Sequence, residues 1–385
     1  MDREGRTRGI DKTVKKPIIF PEFASGKRSA AAMRGTLGWI WTIFGPFLGL
    51  VLISGLFAWL TPHEGALFSY RNWHTNPFLS PDNWRTIGVQ AVTLGIAALG
   101  MTLVMIAGGI DLSIGSAVAL VTVIVATFAI GFSVQLPESL VAMTIQVPAL
   151  PIWAAMLVGV LAGGLCGLFN GALITRLGVV PFIITLGSLK IFRGLAKWLS
   201  GGTQVYVPAE AKPQWLGGLL STTPPEPWWL LVAPGVWVLL GLALGLALML
   251  RYSVFGRYLY AVGSSEPTAR LCGINVPSVK ILVYGLAGLA TGMAGAMQFA
   301  NLSAQGDPGV SDGLELQVIA AVVIGGGSLS GGEGTILGTL IGTLIIIVLD
   351  NGCVHVGYSN AVRDVIIGAI IVVAVALDRL RRRQA

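Results

Sequence analysis

Charge is what this chain has least of. Asp, Glu, Lys and Arg together make up 11% of its 385 residues, against about 25% in a soluble globular domain. Sulfur and imidazole are sparse too. Cys166, Cys272 and Cys353 are scattered, with no CxxC and no histidine at ligand spacing, so neither a disulfide framework nor a metal site is indicated. The three histidines, His63, His74 and His355, form no HExxH or related pattern, and no GxxxxGK[ST] phosphate loop occurs anywhere. Intramembrane proteolysis would want paired aspartates, a Ser–His dyad or HExxH, and none of these is present, so no arrangement looks catalytic.

What remains is apolar. Hydrophobic residues make up 54% of the chain, mean hydropathy is +0.78 and there are 52 glycines. A membrane-crossing helix needs about 20 apolar residues, and glycine lets such helices approach closely in lipid. The fold class expected is therefore an all-α integral membrane protein. Ten spans are expected, near 37–60, 86–107, 114–132, 152–174, 180–199, 228–250, 279–302, 315–326, 335–349 and 362–377. Residues 1–36 carry nine Lys/Arg and no apolar run, and read as a basic cytoplasmic tail; 37–378 form the membrane domain, and 379–385 a second basic end. The net charge of +7 sits in these ends and a few loops, which is the positive-inside pattern and argues against a nucleic-acid partner. Ten crossings put both termini in the cytoplasm, with 132–151 and 303–314, free of Lys and Arg, outside. Lys190, Arg193 and Lys197 inside the fifth span are read as side chains that snorkel toward a helix end.

Three polar interruptions organise this frame. The longest is 252–278, expected as an aqueous loop in which Glu266-Pro267 opens a two-turn helix and Gly273 closes it. Two readings stand: a handle for a soluble partner, or an ordinary connector. The second is the glycine break Gly108–Ser116 around Asp111. Its carboxylate lies two residues before Ser113, which suits an N-terminal cap; a substrate or proton role is the other reading. The third, Gly325–Gly334, contains Leu329-Ser330-Gly331-Gly332-Glu333, the letters of an ATPase signature. With no phosphate loop in the chain and spans on both sides, a tight cytoplasmic turn is expected instead. Asn170, Gln298, Asn301 and Gln317 are available either to line a passage or to bond between helices.

The blocks FLSPDNWRTI, ALGMTLVMIAGGIDLSIGSAVAL, NGALITRLGVVPFIITLGSLKIFRGLA, GRYLYAVGSSEPTARLCGINV and LQVIAAVVIGGGSLSGGEGTILGTLIG, followed by LDNG, run in order from Phe78 to Gly352. Together they resemble the permease subunits of bacterial ribose/xylose/galactose-type ABC importers. The resemblance implies the ten-helix importer fold in the bacterial inner membrane and a second permease copy, identical or a paralogue. It also implies a cytoplasmic ATPase that carries the ATP and Mg, this chain holding no cofactor, and a periplasmic or lipid-anchored sugar-binding protein. By position, Gly263, Glu266, Ala269, Arg270, Leu271, Gly273 and Ile274 match the segment that docks on the ATPase. There Ala269 and Gly273 are expected to permit close approach, Leu271 and Ile274 to be buried against the partner, and Arg270 to pair with a partner acid. Gly109, Asp111, Ser113, Asn170, Gln298 and Asn301 are the candidates for the translocation path or the helix break. The extra material at 63–76, the long tail and the replacement of an acidic run by Ser265-Glu266-Pro267 depart from the family pattern.

The expected function is thus the membrane subunit of an ATP-driven importer of a monosaccharide or polyol, and not an enzyme; an ion-coupled secondary transporter of a small polar solute is the alternative. It would want several ionisable groups near the midplane, where the sequence shows little beyond Asp111. The purified chain alone should neither bind nor hydrolyse ATP. Phosphate release by a preparation shown free of any partner ATPase would contradict this.

Overall fold

Helix starts here are written by proline and by short polar caps. In a computed structural model of the chain, the described residues are 45–61, 76–135, 144–223, 232–359, 361–370, 372 and 376, all within the unit Ile43–Ala385. The basic tail 1–36, the start of the first expected span, the material at 63–75, residues 228–231 and the basic end 379–385 lie outside them. The first helix among the described residues, α1, is Gly45–Leu60. Helix α2, Pro81–Ile106, begins with Pro81 in its first turn and the Ser80 side chain accepting from the Asn83 amide. It starts five residues before the apolar run at Thr86 from which the second span was expected. Helix α3 is Ile114–Ile130, α4 Ile152–Leu177, α5 Pro181–Leu199 and α6 Gln214–Leu219. Helix α7 is Pro234–Tyr252, α8 Val254–Ser264, α9 Glu266–Leu271, α10 Val276–Asn301, α11 Leu314–Ile324 and α12 Ile336–Val356, followed by α13 over 361–370. A 3-10 turn, Ala209–Ala211, and two small antiparallel pairs are also among the described residues, β1 (Phe132–Gln135) with β2 (Thr144–Val147) and β3 (Val205–Tyr206) with β4 (Gln305–Gly306).

Helices α2, α4, α7, α10 and α12 are long and apolar enough to cross a membrane. Helix α2 is the axis of the core: 89% of its most apolar window is buried. The closest pairing is α4 against α10, built on glycine from both sides. A Cβ at Gly288 would stand 2.5 Å from the Gly163 carbonyl and 2.8 Å from the Gly167 Cα, and one at Gly163 would stand 2.5 Å from the Gly292 Cα. The spacing Gly163, Gly167, Gly171 repeats every fourth residue, the arrangement by which membrane helices bring their backbones together. Helices α2 and α12 run antiparallel and are clasped twice. At one end Asn83 and Asn351 exchange amide hydrogen bonds of 3.0 and 2.9 Å, with His355 Nε2 3.0 Å from the Asn83 oxygen. Toward the other, the Thr102 and Thr339 hydroxyls are 2.7 Å apart.

Two stretches expected as loops are something else. Most of 252–278 is helical, as α8, α9 and the start of α10. The stretch 303–314, expected as a simple outer loop, runs down the side of α3. Gly306 backs onto Ala126 and Val123, the Asp307 amide donates to Thr122 Oγ1 at 3.2 Å, and the Ser311 carbonyl meets Gly115. From Ala126 to Gly115 is about 16 Å of helix axis, covered by non-helical backbone in which Ser303, Ala304 and Ser311 all have positive φ. Helix α11 is therefore the second part of a discontinuous element.

The α4–α10 contact yields a stability prediction. Gly288→Val should lower the melting temperature of the detergent-solubilised protein by the equivalent of about 1–3 kcal/mol of overpacking. Gly245→Val on α7, where nothing lies within 4 Å, should leave it near wild type.

Candidate functional site

The short helix α9 follows from its caps. Ser265, noted in the sequence only as part of a departure from the family pattern, is the N-cap and accepts from the Thr268 amide; Pro267 sits in the first turn. At the other end Gly273, at φ +81°, donates to the Arg270 carbonyl at 3.0 Å, and the Ile274 amide reaches the Ala269 carbonyl at 3.1 Å. This is the Schellman arrangement, which needs a residue at ease in the left-handed region after the cap. Glu266 then ties the helix down. One carboxylate oxygen accepts from Arg270 and the other from Lys280 on α10, both at 2.7 Å. Lys280 foremost, with Arg270 beside it, holds the Glu266 carboxyl below its ordinary value against the opposing effect of partial burial.

The side chains of α9 divide cleanly. Ala269 is buried within this chain, at 3% exposure, in the main apolar core, and Ile274 packs on the same core. Ala269 faces inward, contrary to the expectation that it admits a partner, whereas Ile274 is half-buried and keeps part of its surface outside the core. Arg270 is already paired with Glu266. Leu271, 89% exposed, is the apolar side chain that α9 offers to the outside, beside exposed Cys272 and Gly273. Next to it lies a cleft of about 270 Å³, lined by Thr175, Val179 and Pro181 on one wall and Glu266, Arg270 and Lys280 on the other. The turn at Arg176–Val180 and helix α9 thus share one surface.

Behind α9 the two glycine breaks meet the end of α8. A Cβ at Gly263 would collide with the Ile106 carbonyl, the last of α2, and would stand 2.6 Å from the Gly332 nitrogen. The Gly332 amide donates to that same carbonyl at 2.9 Å, a Cβ at Gly331 would stand 2.8 Å from the Gly108 Cα, and Tyr260 Oη donates to the Gly334 carbonyl at 2.8 Å. The stretch that carries the ATPase-like letters is therefore a backbone seam, in which Gly331 and Gly332 both have positive φ.

Beyond the seam lies the Asp111 break. Asp111 is not itself the N-cap of α3; that position is Ser113, whose side chain makes no capping bond. Asp111 sits two residues earlier, and its Oδ1 accepts from the Ser113 amide at 2.8 Å and the Ser113 hydroxyl at 2.6 Å. Asn170 of α4 donates to the Ser113 hydroxyl at 2.9 Å, so the chain Asn170, Ser113, Asp111 joins α4 to the break. All three are buried. Gly109 leaves room for Tyr284 Oη, to which a Cβ there would come within 2.6 Å. Tyr284, missed in the sequence, could have been suspected only as a hydroxyl-bearing aromatic inside an apolar helix. Gln298 and Gln317 are half-buried and Asn301 is exposed. Asn301 lines a separate hollow of about 390 Å³ with Lys212, Gln214 and Ser303, so the structure does not bring Gln298 or Asn301 together with Asp111. Among the described residues no group of His, Cys, Asp and Glu could hold a metal ion.

Comparison with known proteins adds the following. Residues 84–375 match the family model described as the branched-chain amino acid transport system / permease component. The ribose import permease protein RbsC of Bacillus subtilis (strain 168) is 36% identical over 338 residues, covering 87% of this chain and 92% of that protein. The L-arabinose ABC transporter permease protein AraH of Azospirillum brasilense is 34% identical over 307 residues, covering 80% and 83%. The D-allose transport system permease protein AlsC of Escherichia coli (strain K12) is 31% identical over 341 residues, covering 88% and 92%. No solved structure matches the chain.

The break gives a graded prediction. Asp111→Asn keeps an oxygen able to accept from Ser113 and should cost little in melting temperature, whereas Asp111→Ala should cost roughly 1–3 kcal/mol, as for buried donors left without a partner. Equal loss in both variants at normal membrane levels, read by thermal unfolding and transport together, would give the charge itself the decisive part.

Proposed function

The chain belongs to the branched-chain amino acid transport system / permease component family and has five helices long and apolar enough to cross a membrane, and on that premise we propose that it is the translocation subunit of an ATP-driven importer of a monosaccharide. The observation that carries the substrate class is the set of ribose, arabinose and allose permeases similar over most of its length. No relative supports the ion-coupled alternative. In this reading ATP and Mg are held by a separate cytoplasmic ATPase, a sugar-binding protein delivers the solute from the other face, and a second permease copy completes the path. Both termini lie in the cytoplasm, with the α8–α9 face on the same side.

Helix α9 is the coupling element of this proposal. Its anchoring by Glu266 to Arg270 and Lys280 makes it stiff, and Leu271 is left free to be buried by a partner. The backbone seam at Gly263, Gly108 and Gly331 would carry a push on α9 to the ends of α2 and to the turn before α12 without passing through flexible side chains. Arg270 faces solvent, where an ion pair is worth only about 0–1 kcal/mol, so docking is expected to depend on shape and apolar burial.

The test is reconstitution of the chain with its ATPase and binding protein in liposomes. ATP-dependent uptake of D-ribose, D-allose or L-arabinose is expected, and uptake driven by an ion gradient without ATP would restore the alternative. Leu271→Asp should abolish co-purification with the ATPase and sugar-stimulated hydrolysis while leaving the permease's own melting temperature unchanged. Arg270→Ala should be milder. A charged replacement of Ala269 would damage the chain's own core and so does not discriminate.

A further inference from the structure

Helix α5 carries charges along its length that the membrane does not explain. It spans 19 residues, Pro181–Leu199, and Lys190 lies at its middle, about 13 Å from either end. That is farther than a four-carbon stem reaches, so Lys190 does not snorkel to an end as the sequence suggested. Its side chain is exposed on the surface of the chain. One turn further along α5, Arg193 contacts the non-helical stretch before α11. There Arg193 donates to the Pro308 and Val310 carbonyls at 2.9 and 2.8 Å and meets the Asp312 carboxylate at 3.4 Å. Asp312 is 87% exposed, at the level of Gly115 near the start of α3, where the Ser311 carbonyl and the Glu315 carboxylate abut that glycine. Gly115 lies about 22 Å down the axis of α3 from Ile130, less than the thickness of a hydrocarbon layer of about 30 Å.

A lysine and a carboxylate exposed at this depth are not left facing lipid, where a charged side chain costs about 2.5–3.5 kcal/mol even on the mildest scales. Backbone that is neither helix nor sheet is tolerated there only against protein or a water-filled cavity. We propose that the stripe Lys190, Gly194 and Asp312, buttressed by Arg193 holding the unwound backbone, lines the water-filled path of this permease and meets the passing solute. A cation and a carboxylate along one path suit an uncharged polyhydroxylated molecule, whose hydroxyls accept from one and donate to the other. Gly187 and Gly194, with nothing within 4 Å of a Cβ built on either, leave width for it. The proposal rests on the permease reading above and names which face of the chain the solute sees.

The test uses the full chain in liposomes, with Cys166, Cys272 and Cys353 replaced by alanine and a single cysteine introduced as Lys190→Cys, Asp312→Cys or, on the outer surface of α7, Leu244→Cys (Leu244 is 62% exposed). A charged, membrane-impermeant methanethiosulfonate added to both faces should modify the first two at least about ten times faster than the third. In the native background, Lys190→Gln and Asp312→Asn should each raise KM for the transported sugar about tenfold, the size of one hydrogen bond to a charged group. Labelling no faster than at Leu244→Cys, or an unchanged KM in both variants, overturns the proposal. Failure of the permease reading would show separately, as no ATP-dependent uptake of D-ribose, D-allose or L-arabinose by the wild-type assembly. In that case water access at Lys190 and Asp312, which needs no substrate, still decides the matter.

Discussion

Lipid offers no partner to a peptide group, and much of this structure follows from that constraint. Every place where a helix stops inside the apolar frame must be given donors and acceptors from within the chain. The break after α2 is satisfied by Asp111 and Ser113, the turn before α12 by the Ile106 carbonyl and Tyr260, and the unwound stretch before α11 by Thr122 and Arg193. The second and third bring together elements distant in sequence, and at the first Asn170 ties α4 to Ser113. The polar residues that look isolated along the chain are therefore the ones that fix its tertiary arrangement.

Much of this was legible beforehand, and unevenly. The apolar runs located the long helices because twenty apolar residues have few other fates, and Glu266-Pro267 with Gly273 located α9 because cap chemistry is local. The start of α2 was read late, at Thr86, because Ser80-Pro81-Asp82 is polar and a hydropathy reading discards what a capping reading keeps. The course of 303–314 was not legible. Its lack of Lys and Arg suited an outer loop equally well, and only the contacts with Thr122, Ala126 and Gly115 show where it runs. The functional split of α9 was likewise hidden: in a helix of six residues, spacing alone does not say whether Ala269 or Leu271 faces the chain's own core.

The glycines divide by what they accomplish. Along α4 and α10 they bring two helices close enough for backbone atoms to touch. At Gly263, Gly108 and Gly331 they let three chain ends meet with no side chain between them, and such a joint has little freedom to absorb motion. The letters resembling an ATPase signature arise there from the same requirement for small residues, without a nucleotide.

The two clasps between α2 and α12 have a mechanical meaning. Asn83 with Asn351 and Thr102 with Thr339 hold an antiparallel pair near both ends. Sliding one helix past the other by even a single turn would break both clasps at once, leaving buried amides and hydroxyls without partners. The pair is therefore barred from a screw-like or ratcheting displacement. Whatever movement it takes part in must be a tilt of both helices as one beam, driven or restrained through the close-packed glycine seam at its α8 end.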